Sequence, residues 1–394
     1  MSTTNLKAKE AAFNKLRIPL ENKTILCVDG GGMRGILTVQ LLKKIEEIAG
    51  IPCYELFDMV AGTSTGAIIS GLIASGFTAV QIEEKYESLV TQVFKKIFLH
   101  DKFWILPGYD KAVYRKNVKD IVKDSSLAQA CKMHNIDLMI TSKDITENEE
   151  TFFTCFNMAG GNQSGYYNEV LLRHVLEATM SAPTYFQPYE RFVDGGTTAY
   201  NNPSLAALME AKSYDGKEKY NGYPTTLFSL GTGMTVKSIE PKEAASPGFP
   251  GAKFWIEYVI DAASQDASAI QVDTFRSGLM TDIDYRRYQI SFDKKAIGKI
   301  PNRMVPSMNK MLWNLSDEIL KGIEMDDVTK FDLVKTIGQS MVEKIMEENK
   351  FTKDFIDKDT KRDVLVTAFG DEKTKNIIKT NLKDPDWDKK VPTK

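Results

Sequence analysis

The pentapeptide Gly62-Thr63-Ser64-Thr65-Gly66 has the form G-x-S-x-G, in which two glycines permit a tight strand-to-helix turn that projects the serine hydroxyl outward. A hydroxyl presented in this way can attack an acyl carbon, provided a base lies within hydrogen-bond reach. Histidine is the familiar base, and in α/β-hydrolases the chain order is serine, acid, histidine. That order cannot be met with an acid beyond residue 174, because the histidines are His100, His134 and His174 and none follows. The attractive acid is Asp194, in the turn Val193-Asp194-Gly195-Gly196. An aspartate can serve as the base itself if partial burial raises its pKa from about 3.9 and brings it close to Ser64. A Ser64/Asp194 dyad is one reading; an ordinary Asx-turn residue is the other for Asp194, and both stand at this point.

Attack on an ester creates a tetrahedral oxyanion, which backbone N–H groups unobstructed by side chains can bind. The stretch Val28-Asp29-Gly30-Gly31-Gly32-Met33-Arg34-Gly35-Ile36 supplies such backbone just after an apolar run. Arg34 either holds this loop and adds positive potential or is a surface arginine at a helix start. The same residues satisfy G-x-G-x-x-G, the dinucleotide fingerprint. That reading needs an acidic residue about twenty positions on, at the end of the next strand. Asp58 is nearest but precedes the serine turn, and the reading leaves Ser64 and Asp194 unexplained.

The elements that must position these groups follow from periodicity. Thr24–Val28 predicts a strand, and Leu37, Leu41, Ile45 and Ile48 recur at helical spacing until Gly50 and Pro52. FDMVAG predicts a second strand and AIISGLIASG a buried helix, so both glycine turns fall at strand ends of one α/β architecture. Further strands are expected at 136–141, 151–156, 191–196, 225–233 and in DYRRYQISFD, with helices at 79–98, 168–180, 203–213 and from Trp255 onward. EAASPGFPGAK, 243–253, reads as a surface loop. From about Pro306 the chain is lysine-rich and helical in pattern, without internal repeats.

The 394 residues carry 51 basic and 53 acidic side chains, a net charge of −2 that gives no global field for nucleic acid. MSTTNLKAKEAAFNK has no apolar h-region, and the most apolar stretch is too short and interrupted to span a bilayer. A cytoplasmic location is therefore expected. Cys27, Cys53, Cys131 and Cys155 form no C-x-x-C pair and are expected to be reduced packing residues.

Taken together, DGGGMRG, GTSTG and DGG resemble the motifs of the patatin-like phospholipase family. ATMSAPTYFQPY, NNP, SLGTG, PGYDKAVYRKNVKDI and YRRYQISF are also similar to family segments, so the resemblance runs from about residue 23 to about 292. It implies a three-layer α/β/α fold with a mainly parallel central sheet, helices on both faces, and a helical C-terminal extension. The expected organisation is an N-terminal segment 1–22, a catalytic domain 23–292 and the extension 293–394. By motif match Ser64 is the nucleophile and Asp194 the base, with Gly30, Gly31, Gly32, Arg34 and Gly35 around the oxyanion. Gly62 and Gly66 shape the serine turn, Gly195 and Gly196 the aspartate turn. The implied activity is calcium-independent hydrolysis of fatty-acyl esters of phospholipids or galactolipids, with no cofactor and no metal. Acyl transfer, thioester cleavage, or a storage, defence or effector role with secondary esterase activity are the alternatives. The run FKKIFLHDKFWILPGY, 94–109, mixes aromatics with lysines and suits either a bilayer interface, led by Phe103 and Trp104, or a helix end packed on the core.

Overall fold

A computed structural model of the chain describes residues 3–94, 109–183, 185–235, 251–292 and 316–356. Its strands are β1 (Lys23–Val28), β2 (Met59–Thr63), β3 (Asp137–Asp144), β4 (Glu149–Asn157), β5 (Gln163–Ser164), β6 (Phe192–Asp194), β7 (Thr225–Leu230), β8 (Ile283–Gln289) and β9 (Phe355–Ile356). They form one mixed sheet in the order β5-β4-β3-β2-β1-β7-β8-β9, with β6 added to β3. The strands from β3 to β9 along this order are parallel, whereas β4, β5 and β6 join antiparallel.

Because both faces are covered, the central strands read as continuous apolar runs whose side chains nevertheless alternate between two cores. Leu26, Val28, Val60, Leu138, Ile140, Phe228 and Leu230 enter one, with the helices Gly35–Ala49, Thr65–Ala74, Ala79–Val93 and Phe331–Glu348. Ile25, Cys27, Met59, Ala61, Met139 and Leu227 enter the other, with the helices Ser204–Ser213 and Gly251–Arg276. The architecture is thus three layers of helix, mostly parallel sheet and helix. β1 continues through its helix to β2 on one side and is flanked by β7 on the other, so the order reverses beside β1, the place where open α/β sheets bind ligands at the carboxyl ends of their strands.

Three elements differ from the sequence reading. Residues before 23 form a helix, Thr3–Leu16, whose Lys9 reaches Asp58 at 2.8 Å. The helix starting at Ala79 is opened by a Thr78/Gln81 capping box and ends at Val93, with residues 95–108 outside the described set. The segment beyond 316 is not purely helical, since Phe355–Ile356 pairs in parallel with Tyr288 and Gln289. A two-residue strand is too short for any periodicity to reveal. The helix Phe331–Glu348 lies on the helix Gly35–Ala49, and a side chain at Gly338 would meet the Leu37 backbone at 3.0 Å.

Candidate active site

β2 ends in the serine turn, where Ser64 has φ 53° and ψ −121°. A non-glycine residue in this region carries strain of order 1–3 kcal/mol, which the surroundings must hold in place. They do so through the Ser64 N–H, which donates to Thr179 Oγ1 at 2.8 Å, and through the helix Thr65–Ala74 that starts at the next residue. Gly66 sits against the carbonyls of Val28 and Asp29, so a β-carbon there would strike the end of β1 and force the two glycine turns apart.

Sheet register brings Asp194 to Ser64. Thr63 is paired with Thr141, and the next residue of β3, Ser142, is paired with Asp194 on β6. The aspartate therefore emerges level with the serine despite a separation of 130 residues, and Ser64 Oγ donates to Asp194 Oδ2 at 2.7 Å. The other carboxylate oxygen accepts the Gly196 N–H at 2.7 Å. One carboxylate oxygen thus closes the Asx turn while the other faces the serine. Gly195 lies against Thr141, and the Asp194 N–H donates to Ser181 O at 3.1 Å.

Burial pushes the Asp194 pKa up to about 6, opposed by the hydrogen bonds from Ser64 and Gly196. The folded state then holds this proton more tightly than the unfolded chain, whose aspartate titrates near about 4. Its contribution favours the fold at low pH and turns into a cost as pH rises from about 4 to about 6. Asp194→Asn is accordingly expected to be more stable than the parent at pH 8, by on the order of 2–3 kcal/mol, with the gap closing toward pH 4. Thermal melts across that range check this, and a variant less stable at pH 8 would contradict it.

The Ser64 hydroxyl's other partner among the described residues is Met180 Sδ, at 3.5 Å. His134 packs on Tyr54 with ring centroids 4.2 Å apart and His174 on Tyr189 at 5.7 Å, while His100 lies outside the described residues.

The glycine loop is fixed peptide by peptide. A planar trans peptide points its N–H opposite its carbonyl, so clamping a carbonyl aims the following amide. Gly30 O accepts from Thr232 Oγ1 at 2.8 Å, which aims the Gly31 N–H. Gly31 O accepts from the Arg34 backbone N–H at 3.2 Å and from Arg34 Nε at 3.3 Å, which aims the Gly32 N–H. Gly32 O accepts from Thr65 Oγ1 at 2.9 Å and from the Tyr86 hydroxyl. The Gly31 and Gly32 amides donate to no protein acceptor among the described residues. The Gly30 amide differs from the sequence expectation, because it donates to Asn201 O at 3.2 Å and is unavailable to an oxyanion. Arg34 acts as the loop's internal brace, and Gly35 packs between Thr65 and Tyr86 as the helix begins. The Thr65 N–H, in the first turn of its helix, lacks an intrahelical acceptor by position and is a further donor.

At its root the loop is held by a buried ion pair. Asp29 Oδ1 and Oδ2 accept from Arg287 at 2.8 and 2.5 Å, with both side chains almost wholly enclosed. At its tip the Met33 N–H donates to Met325 O at 2.7 Å, so the segment after 316 touches the loop directly.

Asp58 stands at the opposite, amino end of β2 and is bound by Thr24 and Lys9. No acid follows β2 where a ribose would lie, and the serine turn occupies that place, which removes the dinucleotide reading. The four cysteines are buried free thiols, and among the described residues no cluster of three or more metal-ligating side chains occurs. No helix among the described residues is long and apolar enough to cross a membrane. Phe103 and Trp104 lie outside the described residues; the flanking Phe94 and Tyr109 are buried and meet edge to face at 5.3 Å.

Thr179, Thr232, Asn201 and Arg287 hydrogen-bond to the serine turn or the glycine loop, and all four lie in the family-like segments of the sequence. Residues 26–208 match the family model described as Patatin-like phospholipase. The chain is 26% identical over 333 residues to the calcium-independent phospholipase A2-gamma of Mus musculus, covering 80% of this chain and 40% of that protein. It is 29% identical over 292 residues to the 85/88 kDa calcium-independent phospholipase A2 of Mus musculus, covering 67% and 35%. It is 27% identical over 282 residues to the cUMP-AMP-activated phospholipase of Escherichia coli, covering 68% and 82%. The chain thus spans well under half the length of the two mouse relatives.

Proposed function

From the patatin-like phospholipase domain at residues 26–208, we propose that this chain hydrolyses fatty-acyl esters of phospholipids or galactolipids through a Ser64/Asp194 dyad. The observation that carries the reading is the 2.7 Å hydrogen bond from a strained serine at a helix N-terminus to a buried aspartate with a raised pKa. Asp194 Oδ2 takes the hydroxyl proton as Ser64 Oγ attacks the ester carbon. Charge developing on the carbonyl oxygen is met by the Gly31 and Gly32 amides, aided by the Thr65 N–H at the helix start. Collapse of this intermediate breaks the ester bond, and the departing alkoxide takes the proton back from Asp194. A water then attacks the acyl-serine in the same manner, releasing the fatty acid and restoring Ser64.

Residues 23–292 are proposed as the catalytic unit and 293–394 as an addition that braces it. The donors invoked are backbone amides, so turnover on a soluble ester is expected to persist in chelator. Incubating mixed lipid extract with the protein, with and without chelator, and reading products by mass spectrometry beside Ser64→Ala tests the assignment. Free fatty acid and lysolipid are expected from the parent alone. Acyl groups recovered on a second acceptor would favour the transferase alternative, and no acyl release from any lipid would overturn the proposal.

A further inference from the structure

SLGTG and YRRYQISF, singled out in the sequence, take no direct part in the chemistry above, yet both reach the glycine loop. Thr232, only 2% exposed, is the one residue outside the loop that donates a hydrogen bond to the Gly30 carbonyl among the described residues. Its side chain also lies directly on Gly31, where an added β-carbon would be 2.6 Å from Thr232 Cβ. The carbonyl it holds belongs to the same planar peptide as the Gly31 N–H, so its hydroxyl sets the direction of that donor. The position of Thr232 is itself fixed. The Gly231 carbonyl before it accepts from Thr38 Oγ1 at 3.0 Å, and the Gly233 N–H after it donates to Gln289 Oε1 at 2.9 Å. Arg287, two residues earlier on β8, joins Asp29 to Ser229 Oγ, at 2.8 Å from the serine, and ties the loop's root to β7.

We propose that Thr232 is a positioning residue of the acyl-transfer site, acting through the Gly30–Gly31 peptide to pre-aim the Gly31 amide at the oxyanion. This rests on the hydrolytic reading given above. A donor fixed before reaction needs no reorganisation as charge develops, so loss of the clamp penalises the transition state and leaves ground-state binding in place.

Thr232→Val keeps the packing on Gly31 and deletes the hydroxyl, whereas Thr232→Ser keeps the hydroxyl. On a soluble ester the valine variant is expected to lose about tenfold or more in kcat at unchanged KM. Its affinity for a long-chain alkyl trifluoromethyl ketone should fall by a similar factor. That probe adds Ser64 Oγ to its carbonyl carbon, the serine proton passes to Asp194, and the resulting hemiketal oxyanion takes the place of the reaction's own. Thr232→Ser should restore most of both. A folded valine variant with unchanged kcat and probe affinity would overturn the proposal, as would equal impairment of the serine variant or losses confined to thermal stability. A parent protein that neither turns over esters nor binds the ketone would instead overturn the hydrolytic reading itself, so the two failures are told apart by the parent arm.

Discussion

Ser64→Ala and Asp194→Asn are each expected to lower ester hydrolysis by on the order of a thousandfold or more, because members of one catalytic unit fail together. In the proposed dyad the serine supplies the nucleophile, and the aspartate is its hydrogen-bonded partner at 2.7 Å. The double variant should be hardly worse than either single one. In the parent, kcat/KM is expected to rise with pH through about 6, as the buried carboxyl of Asp194 gives up its proton and becomes able to accept one from Ser64. His134→Ala and His174→Ala should retain most activity, since their rings are engaged with Tyr54 and Tyr189. Steady-state kinetics of the folded variants decide the matter. A histidine variant as inactive as Ser64→Ala, or an Asp194→Asn enzyme of ordinary activity, would defeat the dyad.

The second large effect concerns Gly32, whose φ of +56° lies in the left-handed region. An alanine there is strained by its backbone conformation, and its β-carbon would strike the Met325 carbonyl, which is itself the acceptor for Met33. Either the loop or the segment around Met325 must yield, and the Gly31 and Gly32 amides lose their aim. Gly32→Ala is therefore expected to cut kcat by on the order of a hundred- to a thousandfold, the cost of losing an oxyanion donor. KM should change far less. Near-normal kcat in a folded Gly32→Ala protein would show that the oxyanion is bound elsewhere.

Much of this site was legible in the sequence because its parts are local. A G-x-S-x-G turn needs its glycines within five residues, and a run of glycines after an apolar strand is visible without a partner. The alternation of Leu26 and Val28 with Ile25 and Cys27 could not be split between two cores from the sequence, since a strand buried on both faces is apolar throughout. What remained hidden depends on register. That Thr63 pairs with Thr141 and Ser142 with Asp194 is a tertiary fact, and it alone brings a distant aspartate level with the serine. The engagement of the Gly30 amide by Asn201 is likewise invisible without the fold, which is why three glycines read as equivalent although only the Gly31 and Gly32 amides are without a protein acceptor among the described residues. Arg287 looked like one of two arginines on a late strand; its role depends on β8 lying beside β7, with Asp29 at the neighbouring strand end. The contact of Met325 with the loop had no sequence signal, because a backbone carbonyl can come from any residue type.

Covalent capture of the nucleophile tests the Ser64 assignment without relying on turnover. A fluorophosphonate bearing a long alkyl chain phosphonylates an activated serine with loss of fluoride, and intact-mass and peptide analysis then locate the adduct. One adduct per chain is expected, on Ser64, abolished in Ser64→Ala and slowed in Asp194→Asn. An adduct on any other residue with turnover lost, or full hydrolytic activity persisting in Ser64→Ala, would contradict that assignment.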